Sequence, residues 1–276
     1  MRLFPDFADI RGQWYVKRAL EVAVTGGHPI TLTGSPGCGK TLLGESIAGL
    51  HLASTRMLRV EDVTRATTGA ALAAATTTAA GGVLLLDDLH HLTPDAVDHV
   101  WRAWAACTRP PLVVAALRPC PCGWYAASLD ARQDCTCAAP AVTRWHQHTA
   151  ACAAGFQLHL DLEDAARWQQ PHVRTGECSA AVRTRIKIAR GFGASCGRIT
   201  ARNAGCAPGT LLQELDAPAQ QFFAAAEWAL HVPPAHGAHA LVVARTIADM
   251  DRSPTIGPVH LAEALQYRPR RRGAIA

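Results

Sequence analysis

Residues 31–50 read TLTGSPGCGKTLLGESIAGL, and their types and spacing could hold a phosphate. Gly34, Gly39, Lys40 and Thr41 satisfy G-x-x-x-x-G-K-[ST] without a mismatch. In such a loop Gly34, Ser35, Pro36, Gly37, Cys38 and Gly39 would turn main-chain N–H groups toward a phosphate. Lys40, Thr41 and Leu42 would continue into a helix whose N-terminus carries partial positive charge. Lys40 would reach the β- and γ-phosphates of a nucleotide, and Thr41 would ligate Mg²⁺. The plainer alternative is a glycine-rich turn before a helix. The flanks favour the phosphate loop: a strand-like run, 28–33, precedes it, and Leu42, Leu43, Ile47 and Leu50 follow at helical spacing.

A phosphate loop needs a carboxylate at the end of a neighbouring strand, and GGVLLLDD at 81–88 supplies one. Val83 to Leu86 read as a fully buried parallel strand. Asp87 then falls at its C-terminal edge, where it would hold Mg²⁺. Asp88 would polarise the attacking water. With Lys40, these are the candidate catalytic residues. The competing reading is an Asp pair that caps a helix, but Thr93 as N-cap and Pro94 at the first helical position already serve that helix.

Four of the ten cysteines cluster in sequence. Cys120-Pro-Cys122 is followed, twelve residues on, by Cys135-Thr-Cys137. Two knuckles on one loop, 119–138, fit either a tetrahedral Cys₄ zinc site or four free thiols. The C-x-C spacing is tighter than the usual C-x-x-C.

The elements that must position these groups can be read in outline. Residues 1–30 read as a lead-in and an amphipathic helix, with Val16, Ala19, Leu20, Ala23 and Val24 on one face. The run 66–80, ATTGAALAAATTTAA, fits a short helix or a poorly ordered link. Helix is expected over 95–106, strand over 111–117 and an alternating strand over 156–162. From Ser179 onward the pattern is helical, with breaks near Cys206-Ala-Pro-Gly and Val232-Pro-Pro. Alternating strands and helices followed by helices alone give an α/β class with a helical lid. The expected division is an α/β domain over 1–170 and a helical domain over 171–276.

The chain has 276 residues, 49% of them hydrophobic, enough for such a core. No apolar run approaches eighteen residues, so no membrane span is expected. The N-terminal stretch lacks a signal-peptide core, and a cytoplasmic location is expected. Net charge is +5 and uneven: 13 Lys+Arg against 15 Asp+Glu in residues 1–166, then 14 against 7 in 167–276. The basic C-terminal third fits a nucleic-acid partner or a solvated surface equally.

The same residues resemble a known family, the magnesium-chelatase-like AAA+ ATPases of ComM/YifB type. The resemblance rests on Asp6-Phe-Ala-Asp-Ile-Arg-Gly-Gln13, Lys17-Arg-Ala-Leu-Glu21, Gly26-Gly-His28, the phosphate loop and Gly82-Val-Leu-Leu-Leu-Asp87. It continues through Pro119-Cys-Pro-Cys-Gly123, Cys135-Thr-Cys137, Val243-Ala-Arg-Thr-Ile-Ala-Asp249 and His260-Leu-Ala-Glu-Ala-Leu-Gln-Tyr-Arg268. It implies a P-loop NTPase sheet with a helical lid, binding of ATP or ADP with Mg²⁺, and assembly into a homo- or mixed oligomeric ring. It also implies action on single-stranded or branched DNA. Related chelatase subunits instead drive metal insertion into a tetrapyrrole. Family members also carry an N-terminal Lon-protease-like domain, which is not in this sequence.

Four positions depart from the family pattern. Asp88 stands where the family has glutamate. Arg118 replaces an asparagine that senses the γ-phosphate. Ala154-Gly155 replaces an Asp-Arg pair that would supply an arginine finger. Pro233-Pro-Ala-His236 replaces a Ser-Ala-Arg lid motif. Two segments are also shorter: a basic insert between Thr41 and Asp87, and a β-hairpin between Val100 and Leu112. The expectation is nucleotide binding with weak hydrolysis. The alternative is a hydrolysis-deficient regulatory or mixed-ring subunit.

Overall fold

Short apolar runs dominate the middle of the sheet because each is buried on both faces. A computed structural model describes residues 4–50, 57–60, 67–125, 134–163, 176–198 and 203–270. Its strands are β1 (Ile30–Thr33), β2 (Met57–Val60), β3 (Val83–Leu86), β4 (Leu112–Leu117) and β5 (Leu158–Asp161). All pair in parallel, in the order β2-β3-β4-β1-β5. Parallel strands require crossovers, and helices supply them. The parallel order also puts the C-terminal ends of β1, β3 and β4 on one edge. That edge therefore receives Gly34, Asp87 and Arg118.

The helices are α1 (Trp14–Gly26), α2 (Lys40–Leu50), α3 (Gly69–Thr78), α4 (Pro94–Ala106) and α5 (Ala139–Cys152). They continue with α6 (Ser179–Ser195), α7 (Pro208–Leu211), α8 (Ala217–Ala229), α9 (Pro234–Met250) and α10 (Pro258–Gln266). Alternate strand residues face opposite layers. Ile30, Leu32, Leu85, Val114, Leu158 and Leu160 join one core with α1, α2, α6, α9 and α10. Leu84, Leu86, Val113, Ala115 and Leu117 join another with α3, α4 and Phe156. The five apolar residues expected on one face of α1 are all buried. None of the helices among the described residues is long and apolar enough to cross a membrane. The expected division near residue 170 lies outside the described residues, as do Arg271 and Arg272 of the basic C-terminal third.

Several stretches that carried the family resemblance hold the fold together. Lys17 Nζ donates to the carbonyls of Phe7 and Ile10, and burial brings its pKa down to about 8. Glu21 pairs with Arg185 at 2.8 Å, fixing α6 to α1. His28 is fully buried and bonds to both Gln157 and Thr246. Arg245 is the largest completely buried side chain among the described residues; it meets Glu214 and Asp249 at 3.0 Å each and donates to the carbonyls of Ser253 and Pro254. Arg198 joins the same Asp249. Removing one partner of such a buried cluster leaves uncompensated charge. Arg245→Ala is therefore expected to lower unfolding free energy by about 3–5 kcal/mol. Urea denaturation followed by circular dichroism reads this directly; a midpoint equal to the parent's would contradict it.

The structure adds two elements that the sequence patterns did not reveal. Residues 139–152 form α5 although only Val142 and Cys152 are buried on it. Residues 57–60 form the edge strand β2, half-buried throughout. The Ala/Thr-rich run resolves to a helix, α3, with Thr68 as its N-cap.

Candidate functional site

The candidate phosphate loop leaves β1 at Gly34 and enters α2 at Lys40. Gly37 and Gly39 have φ of 80° and 96°, a region that side chains with a Cβ rarely enter. These two turns let the loop curl over the start of the helix. Lys40 Nζ donates to the carbonyls of Gly34 and Ser35, at 2.8 Å each, so the loop is folded onto its own lysine. At Gly34 an added Cβ would lie 2.5 Å from Cys38 Sγ.

The structure brings the loop and the acidic pair together. Thr41 Oγ1 donates to Asp87 Oδ2 at 3.3 Å. Two hard oxygen donors side by side suit Mg²⁺. Ser35, Pro36, Cys38 and Leu42 occupy the loop and first helical turn as expected, with Leu42 exposed. Sequence reasoning missed one member of the site. Arg59, on β2, donates to Asp87 Oδ2 at 2.8 Å and to Glu45 Oε1 at 2.9 Å. It thereby competes for the carboxylate that a magnesium ion would use. The signal that could have found it was a basic residue on a strand next to Val83–Leu86.

Asp88 follows with φ 52°, a left-handed conformation that is uncommon for aspartate. Its Oδ1 lies 3.6 Å from Arg118 Nε. Two of the four departures from the family pattern thus face each other as an ion pair. The third is constrained by packing: a Cβ on Gly155 would lie 2.5 Å from the indole of Trp101. The fourth, Pro233 and His236, helps line a cleft of about 680 Å³ at the same sheet edge, together with Arg118, Asp161, Arg268 and Arg270. The phosphate loop is not part of that cleft's lining.

The four loop cysteines converge. Cys120 Sγ lies 3.3 Å from Cys122 Sγ and 3.8 Å from Cys135 Sγ, and all four sulfurs fall within 4.8 Å of one another. Backbone N–H groups of Gly123 and Tyr125 donate to Cys120 Sγ at 3.2 and 3.3 Å. For Cys122, burial raises the pKa, but N–H bonds from the loop and the Cys120 thiol outweigh it and bring it to about 6. Gly123 also packs against Pro36: a Cβ there would stand 2.8 Å from the proline ring. The cysteine loop therefore touches the phosphate loop.

The basic excess of the C-terminal third is partly consumed internally. Arg185, Arg198 and Arg245 pair with Glu21, Asp249 and Glu214, and Arg190 donates to carbonyls at the end of α1. Arg268 and Arg270 instead face the cleft.

Two stretches of the chain match known protein families. A family described as "Magnesium chelatase, subunit ChlI" matches residues 6–77. A second, "Magnesium chelatase, subunit ChlI C-terminal", matches residues 176–268. The uncharacterized protein YifB of Escherichia coli is 49% identical over 45 residues, 16% of this chain and 9% of YifB. The competence protein ComM of Haemophilus influenzae is 41% identical over 56 residues, 20% of this chain and 11% of ComM. The matched stretches thus cover only about a tenth of these relatives.

Proposed function

We propose a function from one premise: the chain belongs to the magnesium-chelatase-like family of ComM/YifB type. It is an AAA+ nucleotide-binding protein that takes ATP with Mg²⁺ and assembles through oligomeric contacts. The observation that carries this is the meeting of Thr41 and Asp87 at 3.3 Å beneath a loop folded around Lys40. Residues 34–42 would hold the phosphates, and Thr41 and Asp87 would hold the magnesium. The metal would neutralise charge on the phosphates; the chain's part is to position them and exclude water. Hydrolysis is slow, because Asp88 is one methylene short of glutamate and is engaged by Arg118.

A second reading has its own support. Arg59 on Asp87 and Arg118 on Asp88 tie up both carboxylates of the acidic pair. That arrangement suits a subunit that binds nucleotide and works by contact, in a regulatory role or in a mixed ring with a full-length relative. A DNA partner, single-stranded or branched, is what the family resemblance implies, and its support here is the arginines of the cleft, Arg118, Arg268 and Arg270. The discriminating experiment measures ATP binding and phosphate release on the purified chain, with and without single-stranded DNA. Binding with almost no release, unchanged by DNA, supports the contact reading. Release that rises with DNA overturns it in favour of a motor.

Zinc is proposed for Cys120, Cys122, Cys135 and Cys137, whose convergence and N–H···S bonds suit thiolate ligation. One equivalent of zinc per chain is expected in protein purified without chelator, lost in Cys122→Ser. Because Gly123 packs on Pro36, the same variant is expected to weaken nucleotide binding. Full zinc content in Cys122→Ser would reject the assignment.

A further inference from the structure

His90 is an unsatisfied side chain close to the phosphate loop. Its side chain is 1% exposed. Its Nδ1 is buried and has no hydrogen-bond partner among the described residues. Its Nε2 stands 3.7 Å from Asp88 Oδ1, beyond hydrogen-bond range. Buried polar atoms are nearly always paired, and an orphan asks for an explanation.

The chain assembles a donor set around it. The turn at Asp88 leads straight into a short 3-10 segment, Leu89–His91. Residues 88, 90 and 91 thus fall side by side, and one ligand atom from each lies within 4.8 Å of the others. The His90 and His91 rings are 4.3 Å apart, and Trp145 packs on His90 at 4.8 Å. His148 reaches the His90 carbonyl at 3.1 Å, which steadies the backbone of the turn.

We propose that Asp88, His90 and His91 form a binding site for a divalent transition cation. Two imidazoles and one carboxylate suit zinc, cobalt, nickel, copper or ferrous iron, whereas magnesium and calcium prefer all-oxygen sets. Two cations oppose it. Lys40 is held on the loop carbonyls, so its charge acts at a distance. Arg118 must release Asp88, and its side chain, 40% exposed, has solvent to turn into. A metal here would occupy Asp88, the carboxylate beside Asp87, so metal supply and nucleotide turnover would both act on Asp88. The site itself does not depend on the nucleotide reading.

The probe is cobalt(II), titrated into the full chain carrying a single equivalent of zinc, which the four thiolates take first. A cobalt ion held by thiolates shows sulfur-to-metal charge transfer in the near ultraviolet; one held by imidazole and carboxylate shows only ligand-field bands. The expected result is one further equivalent without the charge-transfer band. His91→Ala and Asp88→Asn should each weaken it by roughly 10–100-fold, and His90→Ala should abolish it. His148→Ala, which loses contacts to the His90 carbonyl and to Cys152 Sγ but no donor of the set, should leave the equivalent in place. If His90→Ala fails to fold by circular dichroism, the other two variants still decide. Absence of a second equivalent, or unchanged affinity in both His91→Ala and Asp88→Asn, overturns the proposal.

Discussion

Lys40→Ala is expected to weaken ATP binding by about 30- to 3,000-fold, the range for losing one partner of a desolvated charge pair. Lys40 is the one cation folded into the loop, and its ammonium already sits 2.8 Å from two loop carbonyls. A nucleotide would draw it from those carbonyls to phosphate, exchanging neutral acceptors for charged ones, which roughly doubles the strength of each bond. Lys40→Arg is expected to bind almost as poorly, because a planar fork cannot enter a loop shaped around a point charge. Calorimetric titration reads the affinity, and thermal melting gives a second readout. Ligand raises the melting temperature in proportion to RT ln(1 + [L]/Kd), so the parent should gain stability with Mg²⁺ and ATP and the variant should not. Equal gains in both would mean that the loop does not hold the nucleotide.

The legible parts of this chain are those where chemistry and periodicity coincide. Val83–Leu86 is buried on both faces, so its apolar run needed no partner to be read as a strand. Thr93 and Pro94 mark the start of α4 through a cap whose side chain accepts from Ala96. The glycines at 37 and 39 declare their own backbone conformation. What was hidden depends on tertiary contact. α5 buries only two residues, and its tryptophan and histidines look outward in sequence. In the structure Trp145 and His146 instead donate to or contact the Arg118 and Pro119 carbonyls. β2 is four half-buried residues whose role is fixed by β3 beside it. Arg59 could not be placed at Asp87 without that pairing. The pairing of Asp88 with Arg118 was equally hidden, because thirty residues separate them and only the parallel order of β3 and β4 brings their ends together.

That pairing makes the second large prediction. Asp88→Glu together with Arg118→Asn is expected to raise ATP turnover by about a hundredfold, while either change alone does little. The single Asp88→Glu lengthens the carboxylate but leaves a guanidinium, now 3.6 Å from Asp88, free to hold it away from water. The single Arg118→Asn frees the carboxylate but leaves it short, and a misplacement of about 1 Å can cost about a hundredfold. Groups in one ion pair do not add independently, so the double variant should exceed the product of the singles. Single-turnover phosphate release measures this without interference from product release. The gain has a ceiling. Gly155 packs 2.5 Å from the Trp101 indole at the position of a Cβ, so a finger arginine cannot be restored there without displacing that ring. Without a finger at that position, turnover would stay roughly 10³–10⁵ below that of a finger-assisted site. A double variant no faster than the parent would move the defect away from Asp88 and Arg118. The explanation would then lie with Arg59, whose guanidinium holds Asp87 at 2.8 Å and would have to leave before magnesium could take its place.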